Sequence, residues 1–276
     1  MAESASSPTF RTADGRVVPA VTAGQMREVD RIAVEDLGLT ILQMMENAGR
    51  NLAENVVDML EGQEGEVLVL AGSGGNGGGG LCCARHLHNR GLPVSVVLSK
   101  APADLTGAAA HQLRILEAVG VEPLQPGSAS QVIRRSRLVV DALIGYSLHG
   151  APRGRVAELI ALCRQEARRV LSLDLPSGRD ATTGETPGAV IRSERTLTLA
   201  LPKTGLQGLP GEIYLADIGI PPEAYQPLGF SFEWPSRDSY WVPIEQNSPG
   251  PACVKGGRRP ETGPSVQGGY PGPLQG

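Results

Sequence analysis

Between residues 66 and 175 short apolar runs alternate with longer stretches of helical periodicity. Glu66–Ala71 (EVLVLA) is apolar after its first residue and follows a glycine, as a strand buried on both faces requires. Runs of the same kind recur at Pro93–Leu98, Leu138–Leu143 and Arg169–Asp174, and Thr196–Ala200 and Glu212–Asp217 extend the set. Between them lie helical segments: Leu81–Arg90, then 105–119 with Leu113, Leu116 and Val119 inward, then Val156–Glu166. Strands alternating with helices predict an α/β fold built on a mostly parallel, doubly wound sheet. Right-handed crossovers gather the C-terminal strand ends along one edge, and ligands of such sheets bind there.

Upstream the period is that of a helix. Thr22 followed by Gln25 is a capping box, and Met26, Val29 and Ala33 then share a stripe. Gly38 interrupts, and Leu39-Thr40 leads into a second helix with the face Leu42, Met45, Gly49, Leu52, Val56 and Met59. Methionines in such a stripe read as core filling. Residues 1–20 are polar and predict a flexible leader, 21–230 the folded domain, and 231–276 a Gly/Pro-rich tail. From Asn247 onward 14 of 30 residues are Gly or Pro, a composition that predicts disorder.

Composition narrows the function classes. Of 276 residues, 41% are hydrophobic and 20% charged, enough for a sizeable core. A net charge of −4 argues against a nucleic-acid partner, and no apolar run reaches membrane length. The N-terminal residues lack the pattern of a secretory signal. The four cysteines, Cys82, Cys83, Cys163 and Cys253, show no CxxC or Cys/His ligand spacing. Neither a disulfide framework nor a structural zinc site is expected, and a reducing, cytoplasmic setting fits.

The chemistry concentrates at the strand ends. Gly72–Gly80 (GSGGNGGGG) follows a strand and precedes a helix, where glycines and free amides can cradle a phosphate. There is no Gly-Lys-Ser/Thr, so it is not a Walker loop. Asp141 lies inside an apolar strand, where a carboxylate needs donors or a cation. Asp174 ends the next strand in LDLPSG, with Ser177 presented by the turn. Asn76, Asp141 and Ser177 converge as oxygen donors suited to a hard cation, leaving Asp174 for general acid–base work. The alternative for either aspartate is capping of loop amides. Lys203 stands after the fifth strand as an anion holder or a surface lysine; His86 and His88 read as surface residues and His149 as a weak ligand candidate.

Taken in order, AGSGGNGGGGLCCARHL, LVVDALIG, SLDLPSGRDATTGE and TLTLALPKTGL resemble the NAD(P)H-hydrate epimerase family, the YjeF N-terminal domain. The resemblance extends over roughly residues 20–225. It implies a Rossmann-like three-layer α/β/α sandwich with N-terminal helices packed against it, often as a homodimer. It implies an isomerase of metabolite repair that interconverts the R and S epimers of the hydrates NADHX and NADPHX. The implied potassium ligands are Asn76, Asp141 and Ser177. The implied substrate contacts are Gly75, Asn76, Gly77, Gly78, Gly79, then Gly145, Tyr146, Ser147, Leu148, His149, Gly150 and Ala151, with Asp174 as substrate contact and acid–base residue. About 50 residues follow the resemblance, too few for a kinase-like dehydratase, so the S-specific dehydratase is expected as a separate partner. The family loop usually reads Gly-Pro-Gly-Asn-Asn-Gly-Gly-Asp-Gly; here Ser73, Gly75 and Gly79 replace the proline, the first asparagine and the aspartate. A binding protein without turnover on the same fold is the competing reading. An ordinary Rossmann oxidoreductase fits less well, because Ser99-Lys100 stands where a ribose-binding acid is expected.

Overall fold

The computed structural model describes residues 9–246. Its centre is a nine-stranded sheet in the order β2-β1-β9-β8-β7-β6-β5-β3-β4. Six strands run parallel: β3 (Val67–Ala71), β4 (Val94–Leu98), β5 (Leu138–Ala142), β6 (Val170–Leu173), β7 (Arg195–Leu199) and β8 (Glu212–Ala216). Each falls on a run the apolar pattern predicts. In β3, Val67, Val69 and Ala71 pack into one helical layer, and Leu68 and Leu70 into the other. Burial on both faces is why the run is apolar throughout.

Helices α2 (Ile41–Leu60), α3 (Gly75–His88) and α4 (Gly107–Ala118) cover one face, and α5 (Ala129–Arg135) and α6 (Gly154–Glu166) the other. The three-layer sandwich is therefore as expected. Helix α5 was not legible; seven residues give too few periods. Helix α1 (Ala23–Arg31) starts on the Thr22–Gln25 capping box, with Gln25 N donating to Thr22 Oγ1 and Thr22 N to Gln25 Oε1. A π-helical turn, Ile32–Asp36, follows. Helix α2 docks by polar as well as apolar contacts. Asn47 and Asn51 donate their side-chain amides to the carbonyls of Ile218 and Asp217, and Asn55 donates to Asn51 O. This spacing of four threads an amide ladder through a helix whose other inward residues are apolar. Leu42, expected inward, stays 38% exposed.

Three expectations are corrected. Residues Thr9–Thr12 (β1) and Val17–Pro19 (β2) form an antiparallel pair inside the expected leader. Phe10 and Val18 are fully buried there. Residues Trp241–Gln246 (β9), inside the expected tail, lie between β1 and β8 and pair antiparallel with both. These strands are too short, and too sparsely apolar, to stand out by pattern. The rest of the leader and tail, 1–8 and 247–276, lies outside the described residues. Finally, α3 begins at Gly75 rather than Leu81, so most of the glycine stretch is helix.

Candidate active site

Glycines normally weaken a helix, so the first turns of α3 need a reason. Four of them are dictated by packing. A Cβ on Gly77 would lie 1.8 Å from the Gly72 carbonyl oxygen; on Gly78, 2.5 Å from Met45 Cε; on Gly79, 2.9 Å from Leu173 Cδ2; on Gly80, 2.5 Å from Ala142 Cβ. Only backbone fits between the helix, β5 and α2. Gly74 and Gly75, by contrast, have open space around them and line a cleft. The helix has no side-chain N-cap, and its first bond runs from Gly78 N to Gly74 O. The amides of Gly75, Asn76 and Gly77 precede that bond and are free for a ligand.

The cleft has a volume of about 860 Å³, at the upper end for small-molecule sites. Its wall includes α1 and the start of α2, and the ends of β3, β5, β6 and β7 close the rest. Asp174 and Lys203 lie at its floor, 2% and 1% exposed. Lys203 Nζ donates to Asp174 Oδ1 at 2.5 Å and to Leu199 O at 2.8 Å. Tyr146 N donates to Asp174 Oδ2 at 3.1 Å. Two left-handed residues make this pairing possible: Asp174 at φ +67 and Ala200 at φ +61. Both stand immediately after adjacent parallel strands, and each bends the chain sharply. Non-glycine residues seldom hold this conformation, and those that do cluster at functional sites. Gly145 is as tightly specified, since a Cβ there would come within 3.1 Å of both Asn76 Oδ1 and Asp174 Oδ2.

Above the floor, the Tyr146 hydroxyl donates to Asp30 Oδ2 in a very short contact. Burial raises the Asp30 carboxyl above its ordinary value, although the Tyr146 hydroxyl and the Lys203 charge pull the other way. Burial, and then the Asp30 charge, push the Tyr146 phenol well above its own. The Lys203 ammonium lies 5.9 Å from the Tyr146 ring centroid. Two carboxylates, one lysine and one phenol thus form a connected group.

Asp141 is fully buried and sits deeper, outside the cleft lining. Its Oδ1 accepts from Ser177 Oγ at 2.6 Å and Leu143 N at 3.3 Å; its Oδ2 accepts from Ser177 N and Ser172 Oγ, both at 2.8 Å. Burial raises this carboxyl, while the Ser177 and Ser172 donors oppose the rise. Ser177 Oγ also accepts from Ile144 N and lies 3.2 Å from Ile144 O. Its hydroxyl proton therefore has a second acceptor, and can turn away to leave an Asp141 oxygen open. Asn76 donates Nδ2 to Leu173 O at 3.2 Å, and its Oδ1 accepts no hydrogen bond among the described residues. The all-oxygen donor set fits a hard cation in kind.

The sequence expectations fare unevenly. Gly75, Asn76, Gly79, Gly145, Tyr146, Ser147 and Asp174 line the cleft; Leu148, His149, Gly150 and Ala151 do not, and Gly77 and Gly78 face packing partners. Lys203 is not on the surface. His86 is held by Glu46 at 2.8 Å rather than free on the surface. Asp30 and Arg27 were missed. They lie on the polar side of an amphipathic helix, which reads as solvated until the sheet is placed beside it.

Residues 41–205 match the family described as YjeF-related protein N-terminus. The chain is 49% identical over 242 residues to an NAD(P)H-hydrate epimerase of Dehalogenimonas lykanthroporepellens, covering 84% of this chain and 96% of that one. The chain belongs to the YjeF-related family. An NAD(P)H-hydrate epimerase of Rhodopirellula baltica is 37% identical, over 75% of this chain and 86% of that protein. A bifunctional NAD(P)H-hydrate repair enzyme of Salinibacter ruber is 35% identical, and this YjeF-related chain spans 51% of it. The crystal structure of yeast ynu0 has the same fold: TM-score 0.72 at 24% identity, over 82% of this chain and 100% of that one. No helix among the described residues of this family member is long and apolar enough to cross a membrane.

Proposed function

We propose that this chain is an NAD(P)H-hydrate epimerase, an isomerase that interconverts the R and S hydrates of NADH and NADPH. The observation that carries the reading is the buried Asp174–Lys203 ion pair at the floor of the cleft, in a chain 49% identical to a protein of that name. The substrate is a dinucleotide. The free amides of Gly75, Asn76 and Gly77 and the positive end of the α3 dipole suit its pyrophosphate.

The hydrated ring carbon bears a hydroxyl and the ring nitrogen. Its configuration is lost either when the hydroxyl leaves or when the ring opens. Loss of the hydroxyl needs a proton on that oxygen and leaves a cationic ring; ring opening removes the hydroxyl proton and returns one to nitrogen. Asp174 serves either route: it takes and returns the proton or lies against the developing positive charge. Lys203 holds the carboxylate in position and shares its proton traffic. Tyr146 and Asp30 close the wall around the ring.

Asn76, Asp141 and Ser177 would hold a potassium ion. Such an ion supplies fixed positive charge that orders the turn from Leu143 to Tyr146. The exposed apolar residues Leu37, Ile41 and Leu42, at 44%, 54% and 38%, offer a face for a homodimer. Three buried free cysteines support a reducing, cytoplasmic setting. An S-specific dehydratase is the functional partner.

The test is R/S interconversion of purified NADHX, followed by chromatography in potassium, with wild type and Asp174→Asn. Clear acceleration by the wild type and at least a hundredfold loss in the variant are expected. A folded wild type that binds NADHX without exceeding the spontaneous rate would overturn the epimerase in favour of a binding protein.

A further inference from the structure

We propose that Glu46, Cys82 and His86 form a site for one borderline-soft divalent cation of the zinc class, at the seam between α2 and α3. Cys82 and His86 are four residues apart on α3, so both project from one face of the helix. Glu46 meets them from α2. Cys82 Sγ is 3.3 Å from Glu46 Oε2, and His86 Nε2 is 2.8 Å from Glu46 Oε1. All three ligand atoms lie within 4.8 Å of one another. Tetrahedral zinc, with bonds of about 2.0–2.3 Å, holds its ligand atoms about 3.3–3.6 Å apart. The side chains need only small rotations to reach that spacing.

Two observations mark the place as more than an ion pair. Helices α2 and α3 are packed closely there by Gly49, whose Cβ would lie 2.5 Å from both Cys82 Cβ and Sγ. Any side chain at 49 would push the thiol off the seam. Second, Arg85 now fills the cation position, and fills it poorly. One guanidinium nitrogen reaches Glu46 Oε2 at 2.5 Å and Cys82 Sγ at 3.3 Å, while Arg85 Nε is buried without a hydrogen-bond partner among the described residues. A guanidinium normally binds a carboxylate with two parallel bonds. Glu46 is 45% exposed and Arg85 16%, so Arg85 can swing to solvent as a metal enters.

The donor set selects the metal class. One thiolate, one imidazole and one carboxylate favour zinc over magnesium or calcium, and a water completes the fourth position. The Cys82 thiol proton passes to solvent as the metal–sulfur bond forms. The metal replaces the charge of Arg85 beside Glu46 and adds a coordinate crosslink to helices otherwise joined there by packing and by the Glu46 contacts. Its role is bracing. Met45, adjacent to Glu46, lines the cleft and lies against Gly78.

The test uses metal-free full-length protein titrated with cobalt(II), then zinc(II). One equivalent of cobalt should bring visible ligand-field bands and a near-ultraviolet sulfur-to-cobalt band, and zinc should displace both. Cys82→Ser should abolish the sulfur band, and His86→Gln should weaken binding at least tenfold. Arg85→Gln should leave the spectrum intact and tighten binding. Circular dichroism confirms that each variant folds; should Cys82→Ser fail to fold, Glu46→Gln supplies the same loss of affinity. No stoichiometric band, or a band unchanged in Cys82→Ser and His86→Gln, would overturn the site. The readout is spectroscopic, so it stands or falls independently of epimerase turnover.

Discussion

Lys203 Nζ meets Asp174 Oδ1 at 2.5 Å with both side chains sealed from solvent. A buried charge left without its partner is costly, whereas a matched neutral pair need not be. Lys203→Met should therefore destabilise by about 3–5 kcal/mol, and the double variant Asp174→Asn/Lys203→Met should recover much of that loss. Neither should turn over NADHX. Denaturant unfolding alongside the chromatographic assay separates the two effects; a double variant as unstable as the single one would remove the ion pair as the cause.

The glycines of α3 should sort by what faces them. Gly77→Ala drives a methyl into the Gly72 carbonyl and should cost about 3 kcal/mol or more. Gly75→Ala meets open space and should gain a few tenths to about 1 kcal/mol from helix propensity. Thermal unfolding of the pair decides this, and equal effects would contradict the packing argument.

Asp141 accepts four donors in a buried site. Asp141→Asn places an amide N–H₂ against donors and should destabilise by about 2–3 kcal/mol. It should also remove any dependence of activity on potassium. A variant as stable as wild type, with potassium dependence intact, would refute both roles.

Asp30 gives a pH signature. Burial raises its carboxyl above 3.8. Its contribution to stability is then fully present below 3.8 and is lost as pH rises through the folded-state value. Asp30→Asn escapes that loss, so the variant should gain on wild type between pH 3.8 and neutrality. Unfolding midpoints across that range supply the measurement, and a constant difference would count against it.

The parallel core was legible because its central strands, β3 and β5, are buried on both faces and read as almost unbroken apolar runs. Asp141, Asp174 and Ser177 were legible for a related reason: polar residues interrupting such runs near their ends stand out. The Asp174–Lys203 pair was not, since it depends on two left-handed bends that no local pattern encodes. Asp30 was hidden on a helix face that looks solvated in isolation. The glycine stretch misled in its detail. Its position after β3 pointed to the ligand edge, yet the missing side chains of Gly77 to Gly80 answer to neighbouring helix and sheet, and only backbone amides at the helix start are left for a phosphate. The predicted helix Leu81–Arg90 already holds both Cys82 and His86, but nothing local in the sequence brings Glu46 of α2 alongside them.

The pairing of β1 with β9 has a consequence for synthesis. A chain emerging from the ribosome presents Phe10 and its neighbours early, but their partner strand lies more than 200 residues further along. Until residues 241–246 are free, the nascent sheet carries an open edge next to β8, and the β1–β2 ribbon has no dock. Closure therefore waits until that segment has been made. The vulnerable interval, in which another nascent chain could add to that edge, lasts as long as elongation from β8 to β9.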